Sequence, residues 1–423
     1  MTSLLAKIIP RLVWIGMLTI VVVSPTQYGV QLAKNTYVSV VDPLVWLVFG
    51  LWILGNAIQR RLPETDATMN SANSPASRCP PLMVVLFILI AALSVSRAIH
   101  PMKGVKDILQ LIEYFVAAFM LFVNIPDRQR LRRVTDIFLI VASAVILLGV
   151  VQYLLPGITD FKVCASFGNR NVFGGYLALV VPFMCGIALY ETSIWRRGWM
   201  LTMVTLALLI TLSGGALIAI TLTLAVLCAM RGKPAFITFS TLFIVIMILI
   251  FPRLPRHNDV VLDQSIRLFN DNNEVSLRYS EWQAAMVMLS EHPWLGVGIG
   301  NYQDNIGGYF GILPRPTGVV EHDSENLYLV FASSTGLPGL AAFLGMLLTF
   351  GIMASRQFFT PAYPRDRGLA LGLLGSILSF ALCGIWHPLL VRGLGIPLTI
   401  MFALAFLLDH SATSTSTCHD VSR

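Results

Sequence analysis

Long apolar runs separated by short polar loops alternate along most of the chain. A run of about 20 apolar residues forms a helix long enough to cross a hydrocarbon core of roughly 30 Å. The alternation over about 10 residues that is typical of membrane β-strands does not occur. The pattern predicts an all-α polytopic membrane protein with about twelve transmembrane helices, centred near Leu18, Trp46, Ile88, Ala117, Ala144, Leu179, Leu206, Leu222, Ile246, Leu340, Leu378 and Leu404.

A long polar segment, residues 252–324, interrupts this alternation between predicted helices nine and ten. It divides the chain into residues 1–251 with helices one to nine, the loop itself, residues 325–410 with helices ten to twelve, and a tail at 411–423 that is rich in Ser and Thr. Connecting loops with their own polar composition carry binding and catalytic residues more often than the helices that hold them. We therefore expect the chemistry of this protein in the loop.

The charges of the short loops predict the orientation. Hydrophobic residues make up 56% of the chain and charged residues 12%, with a net charge of +7. A cytoplasmic N-terminus places fourteen Lys and Arg residues in internal loops against seven in short external loops, as the positive-inside rule requires. The C-terminus is then cytoplasmic and residues 252–324 are external. The basic balance thus reflects topology and gives no reason to expect nucleic-acid binding.

Ionisable residues near the predicted membrane are biased to the outer side. Mid-depth positions carry none, whereas ion-coupled transporters need titratable groups near the midplane. The working surface is therefore predicted to be external and shallow, with ordinary interfacial residues as the alternative. The outer residues are Asp42, Arg97, Glu113, Arg170, Glu325, His387 and Arg392.

The polar segment contains an amphipathic helix, predicted over Ser276–His292 and ended by Pro293. Arg278, Trp282, Ala285 and Leu289 recur at helical spacing, and such a helix can lie on a bilayer surface. The planar fork of donors of Arg278 suits a lipid-linked phosphate. The alternative is an Arg whose stem lies on apolar surface while its head reaches solvent.

Glycine recurs at alternate positions in Gly296-Val297-Gly298-Ile299-Gly300. The spacing is that of a dinucleotide-binding motif, but no strand precedes it and no helix clearly begins there. A tight turn that lets the backbone approach another surface is the better interpretation.

A second glycine-containing segment, Phe167-Gly168-Asn169-Arg170-Asn171, begins predicted helix six from outside. Helix N-termini attract anions through their free N–H groups and dipole, so Asn169 and Arg170 are candidate anion ligands. A simple turn and helix cap would explain the same residues.

His322 lies between two carboxylates, Glu321 and Asp323. A neighbouring carboxylate raises imidazole basicity and orients the ring, which suits a general base near neutral pH. A solvated loop histidine is equally compatible with the sequence. Metal binding by the three residues is a further alternative, although adjacent residues rarely converge on one ion.

Taken together, these segments resemble the bacterial O-antigen ligase and polymerase family. The resemblance extends from Phe167 to Leu340, with a large external loop before the histidine motif. Its motifs are Phe167-Gly168-Asn169-Arg170-Asn171-Val172-Phe173-Gly174-Gly175-Tyr176-Leu177, Arg278-Tyr279-Ser280-Glu281-Trp282, Pro293-Trp294-Leu295-Gly296-Val297-Gly298-Ile299-Gly300-Asn301-Tyr302, His322-Asp323-Ser324-Glu325-Asn326-Leu327-Tyr328-Leu329 and Gly336-Leu337-Pro338-Gly339-Leu340.

The resemblance implies a GT-C-like, metal-independent, inverting glycosyltransferase that needs no cofactor. Such an enzyme takes its glycan from undecaprenyl diphosphate at the periplasmic face of the bacterial inner membrane, and we expect lipid A-core oligosaccharide as the acceptor. O-antigen polymerase and protein O-oligosaccharyltransferase activities are alternatives within the family, and a lipid-glycan flippase or transporter is the alternative outside it.

Residue by residue, the resemblance assigns catalytic roles to His322 and Arg278. Diphosphate binding falls to Arg170, Arg278 and Asn169, and the supporting candidates are Glu321, Asp323, Arg97 and Tyr328. One departure is Ser213-Gly214-Gly215-Ala216, where many relatives carry Arg after Ser. Any role of that Arg must be absent here or supplied by another group.

Overall fold

The computed structural model describes the chain except for residues 1, 27–28, 34–35, 60–79, 126, 156–162, 251–271, 312–324, 362–365, 391–392 and 421–423. The described part is helical apart from one short hairpin, which confirms the predicted helical class. The hairpin pairs β1 (Gly29–Ala33) with β2 (Thr36–Ser39) in antiparallel register. The apolar pattern of the sequence did not predict it.

Each of the twelve predicted centres lies in a helix of the described chain. The centre at Ala117 falls in a π-helical turn, Glu113–Ala118, that joins two α-helices into one run. In chain order the α-helices are α1 (Thr2–Val23), α2 (Val41–Gln59), α3 (Leu82–Ser94), α4 (Pro101–Ile112), α5 (Phe119–Val123), α6 (Arg128–Leu154), α7 (Arg170–Ala188), α8 (Ile194–Ile210), α9 (Gly214–Arg231), α10 (Lys233–Ile250), α11 (Asn272–Glu291), α12 (Tyr302–Ile306), α13 (Leu327–Phe359), α14 (Asp366–Cys383) and α15 (Gly395–Asp420).

Six helices of the described chain are long and apolar enough to cross a membrane by length and composition. They are Val41–Ile58, Arg128–Leu154, Arg170–Ala188, Gly214–Arg231, Leu327–Phe359 and Asp366–Cys383. Shorter apolar helices cover Ile8–Val23, Leu82–Arg97, Lys233–Ile244 and Gly395–His410. Several apolar helices thus indicate a membrane protein, while the count of twelve spans and the external position of residues 252–324 stay predictions.

Helix α7 lies at the centre of the bundle and is almost wholly buried from Phe173 onward. It packs most closely on α14, where a Cβ at Gly186 would lie 2.3 Å from the backbone nitrogen of Gly372. Only glycine permits this approach. Small residues at helix crossings are the usual means by which membrane helices gain close contact, because lipid offers no hydrophobic drive to associate. Near the start of α7, a Cβ at Gly174 would lie 2.9 Å from the Cβ of Ser213, so this end of the helix also packs closely within the bundle.

The predicted amphipathic helix is present as α11, and its buried face overlaps the predicted one at Ala285. Ala284, Ala285 and Met288 are fully buried, and they cluster with Val297, Tyr302, Ile306 and Phe310. Ser333 of α13 also donates a hydrogen bond to the Ala285 carbonyl, at 3.0 Å. Ala285 of the predicted face is therefore buried against the protein itself, while Trp282 and Leu289 are half-buried. Contact of this helix with a bilayer stays a prediction.

The glycine-rich segment after α11 forms the predicted tight turn. Gly296, Gly298 and Gly300 all have positive φ angles, of 63°, 95° and 74°. The Val297 and Gly298 amides donate to the Ser333 and Ser334 carbonyls at 2.9 and 3.0 Å. The turn thus fixes α11 against α13, and no nucleotide is needed to explain its glycines.

Candidate functional site

The N-terminus of α7 carries two of the predicted ligands. Asn169 is the N-cap, and its Oδ1 accepts a hydrogen bond from the Asn171 amide at 2.7 Å. Arg170 is the first helical residue, and its side chain is exposed. Asn169 thus acts as a helix cap, its role as an anion ligand stays a prediction, and Arg170 is available at a positive helix end.

Arg278 of α11 forms an ion pair with the residue that precedes the N-cap of α13. Its Nη2 lies 2.5 Å from Oε2 of Glu325, and both side chains are a little more than one-third exposed. Glu325 has a φ of 47°, in the left-handed region that non-glycine residues rarely occupy. Asn326 then caps α13 by accepting from the Tyr328 and Leu329 amides, each at 3.0 Å. The cap and the turn before it hold Glu325 at Arg278.

The candidate site also includes a buried histidine, His387. The sequence had placed this residue only among the outer-edge residues. His387 lies between α14 and α15, and its Nε2 is 2.8 Å from Oγ of Ser213, the residue before α9. Within the described chain its Nδ1 is buried and has no hydrogen-bond partner. Burial, together with the positive charges of Arg278 and Arg170, lowers the pKa of His387 from 6.5 to about 4. The ring is therefore neutral at physiological pH and close to both guanidinium groups.

The departure at Ser213-Gly214-Gly215 takes on a structural meaning here. A Cβ at Gly215 would lie 2.6 Å from the Trp386 side chain and 3.2 Å from His387 Nε2, so a larger residue would push this histidine away. A Cβ at Gly214 would meet nothing within 4 Å. The segment thus combines a position that must be small with one that borders open space.

The remaining predicted residues are spread more widely. The Tyr328 hydroxyl donates to the Ala381 carbonyl at 2.5 Å, which gives this side chain a structural role between α13 and α14. Arg97 ends a 3₁₀ turn after α3 and is exposed. His322, Glu321 and Asp323 lie outside the described residues. The structure thus places Arg170 and Arg278 near enough to His387 for their charges to lower its pKa.

A cavity of about 980 Å³ lies beside these groups. Its wall includes Gly168, Leu327 and Pro388, which are within two residues of Arg170, Glu325 and His387 respectively. Other parts of the wall are polar and come from α4 and α12. They include the side chains of Lys106, Asp107, Gln110 and Gln303.

The chemistry available here is that of an anion site. Two guanidinium groups offer planar sets of donors, and α7 adds the positive end of its dipole. Such groups stabilise a negative charge that develops in a partly desolvated site, including the charge on a departing phosphate. The neutral imidazole adds a hydrogen-bonding group without adding charge.

The family comparison points in the same direction. Residues 198–344 match the family model described as O-antigen ligase, Wzy_C, which confirms the resemblance over this part of the chain. Arg278 and the His322 motif fall within the matched region, whereas Arg170 and His387 fall outside it. No curated protein matches the chain. The match supports a glycosyltransferase-type activity of the O-antigen ligase or polymerase kind.

Proposed function

We propose that the protein is an O-antigen ligase, which transfers a glycan from undecaprenyl diphosphate to lipid A-core oligosaccharide at the periplasmic face of the inner membrane. The observation that carries the proposal is the placement of Arg170 and Arg278 close to one buried histidine. A lipid diphosphate is an anion that such a pair can hold without the help of a metal. The family match supplies the reaction class.

The reaction is one inverting displacement at the anomeric carbon of the donor sugar. An acceptor hydroxyl oxygen forms the new bond to this carbon, while the bond from the carbon to the diphosphate oxygen breaks. The bonding electron pair leaves with the diphosphate, and the hydroxyl proton passes to a base. No covalent enzyme intermediate forms, so the mechanism needs no side-chain nucleophile.

His322 is the proposed base, because its flanking carboxylates favour proton uptake near neutral pH. Glu325, three residues later in the sequence, binds Arg278 in the structure, which supports assigning the His322 segment to the same site. A base and a leaving-group site must flank one anomeric carbon. The two roles therefore belong on neighbouring chain segments.

Arg278 and Arg170 are the proposed ligands of the departing diphosphate. The guanidinium of Arg278 can donate two parallel hydrogen bonds to phosphate oxygens once its present partner, Glu325, gives way. Arg170 adds its charge at the N-terminus of α7, where free amides and the helix dipole favour an anion. Asn169 takes part through its cap, which fixes the direction in which the helix begins.

The proposed orientation of the protein is supported by the positions of its charges. Arg128 binds Asp366 at 2.7 Å, which joins the start of α6 to the start of α14. In the proposed topology this is the cytoplasmic end, rich in Arg and Lys as the positive-inside rule requires. The diphosphate site lies at the other ends of these helices and therefore faces the periplasm. Both termini are then cytoplasmic.

Purified protein in lipid nanodiscs provides the direct test. With undecaprenyl-diphosphate-linked O-antigen and lipid A-core, we expect a ligated product and free undecaprenyl diphosphate. Elongation of the lipid-linked glycan without lipid A-core would instead assign the polymerase reaction. A product only with a protein acceptor would assign an O-oligosaccharyltransferase, and donor movement between leaflets without transfer would assign a flippase.

A further inference from the structure

The cavity beside the two arginines has no role in the mechanism described so far. It encloses about 980 Å³, at the upper end of the range for small-molecule sites, which is roughly 300 to 1,000 Å³. This is more room than one diphosphate needs. Because its wall comes within two residues of Arg170, Glu325 and His387, one part of the cavity borders the proposed diphosphate site.

The wall combines two kinds of surface. Lys106, Asp107, Gln110 and Gln303 contribute charged and amide groups, which donate and accept hydrogen bonds. Val330, Pro388 and Leu390 are half-buried and contribute apolar surface. An isoprenoid chain offers no hydrogen bonds, so burying the charged and amide groups against it would cost free energy. A sugar ring suits both surfaces, since its hydroxyls match the amides and its C–H face can lie on the apolar side chains.

The amides lie on firmly positioned elements. Gln110 Nε2 donates to the Tyr114 hydroxyl at 2.5 Å, one turn further along the same helical run. Gln303 lies in the short helix α12, beside the ion pair between Lys103 and Asp304 at 2.8 Å. Asn301 accepts from the His100 amide at 2.7 Å and joins the same turn to the start of α4. Polar groups held in this way bind a ligand with little loss of side-chain conformational entropy, because they are already ordered.

We propose that this cavity binds the sugar unit linked directly to the diphosphate of the donor, with Gln110 and Gln303 as hydrogen-bonding ligands. The inference rests on the proposed function and deepens it. In a glycosyl diphosphate one oxygen atom joins the ring to the phosphorus, so the first sugar must lie beside the groups that hold the diphosphate. The cavity is the described space that meets this condition. Selectivity for the donor sugar is thus assigned to α4 and α12.

The test compares two lipids in binding to purified full-length protein in nanodiscs: undecaprenyl diphosphate, and the same lipid carrying one N-acetylhexosamine. Wild-type protein should bind the sugar-bearing lipid more tightly. Gln110→Ala and Gln303→Ala should each weaken binding of that lipid by about threefold to tenfold, the range for one lost hydrogen bond, and leave binding of the sugar-free lipid unchanged.

Gln129→Ala is the matched control. Gln129 is an exposed amide near the start of α6, while Gln152 near the other end of the same helix lines the cavity. The control should bind both lipids as wild type does. Melting temperatures of all variants should stay within a few degrees of wild type, since neither amide lies in the buried core.

Three outcomes would overturn the inference. Equal affinity of wild-type protein for the two lipids would show that the cavity does not bind the sugar. An equal loss for both lipids in the amide variants would assign them to the diphosphate. If the amide variants increased only the KM for lipid A-core, the cavity would be a binding site for the acceptor. Failure of the proposed function itself would look different, because wild-type protein would then give no ligated product with lipid A-core, whichever of the two lipids it binds.

Discussion

The guanidinium of Arg278 lies 2.5 Å from the carboxylate of Glu325, although 47 positions separate them along the chain. The donors that face this carboxylate are the ones that would face a phosphate. A carboxylate and a diphosphate cannot both take the same fork of donors, so in the proposed mechanism the donor substrate replaces this ion pair. We therefore expect Glu325 to tune how tightly Arg278 binds an anion.

Glu325→Gln should strengthen the binding of undecaprenyl diphosphate by a few fold. The substitution removes a competing negative charge worth about 0 to 1 kcal/mol for a pair this exposed, and the same figure limits the change in the free energy of unfolding. Equilibrium binding in nanodiscs measures the effect. Asp136→Asn, at the similarly exposed pair between Asp136 and Arg196, is the control and should change nothing. Weaker binding in Glu325→Gln would show that the carboxylate positions Arg278 for the ligand.

Arg278 should be sensitive even to a change that keeps its charge. Arg278→Lys replaces a planar fork with a point charge and should lower the transfer rate clearly, while Arg278→Ala should lower it on the order of 10² to 10³. Protein abundance should stay near normal, because the side chain is partly exposed. Initial rates with the lipid-linked donor provide the measurement.

Arg196→Lys is the matched control for this series, since Arg196 also pairs with a carboxylate at similar exposure. It should retain wild-type activity. An Arg278→Ala protein that ligates at the wild-type rate would leave the family match over residues 198–344 intact and remove this residue from the mechanism.

The helices could be predicted from sequence because an apolar run of sufficient length has few other structures available to it. The buried face of α11 could be predicted only in part, at Ala285. Met286 and Val287 are exposed while the adjacent Ala284, Ala285 and Met288 are buried, so apolar residues surround the helix and its periodicity does not select one face. The contact with the Ser333 hydroxyl selects it, and that is a tertiary contact.

The candidate functional site likewise contains residues that a local sequence pattern predicts and one that depends on tertiary contacts. Arg170 and Arg278 stood out because cations at helix starts and on amphipathic helices suit phosphate. His387 stood out only as one outer-edge residue among seven. Its position depends on a hydrogen bond to Ser213, 174 residues earlier, and on the small residue at Gly215. No local pattern encodes a pairing over that distance, so the structure had to supply it.

The stability of the protein should depend on pH through His387. Its pKa is about 4 when folded and near 6.5 when unfolded, so between these values the unfolded chain binds more protons. Stability is therefore full above pH 6.5 and falls as the pH drops toward 4, by on the order of 3 kcal/mol for this residue. Melting temperatures in detergent from pH 7.5 to 4.5 should show the decline.

His387→Gln identifies the source of that decline. Glutamine places an amide near the position of Nε2 and can keep the hydrogen bond to Ser213, but it does not titrate in this range. Its melting temperature should fall less between pH 6.5 and 4.5 than that of wild type. A decline of the same size in wild type and His387→Gln would assign the pH dependence to other groups. The effect of Arg170 and Arg278 on the pKa of His387 would then play no part in it.

Transfer should persist after treatment with EDTA and should not respond to added magnesium. The proposed site neutralises the diphosphate with Arg170 and Arg278, which do the electrostatic work that a divalent cation does in other transferases. Rates measured before and after chelation decide the matter. Loss of activity in EDTA with recovery on adding a divalent ion would favour Glu321, His322 and Asp323 as metal ligands.

His322→Ala should reduce transfer by about 10² to 10⁴, the usual range for the loss of a general base. Donor binding should be nearly unchanged, because the diphosphate is held by the arginines and not by the base. The measurement therefore separates the two quantities, with turnover followed at saturating donor and affinity measured without acceptor. His292→Ala, at the end of α11, removes a second loop imidazole and should leave both quantities at wild-type values. Turnover near normal in His322→Ala would exclude this residue as the base and leave the proton of the acceptor hydroxyl to another group.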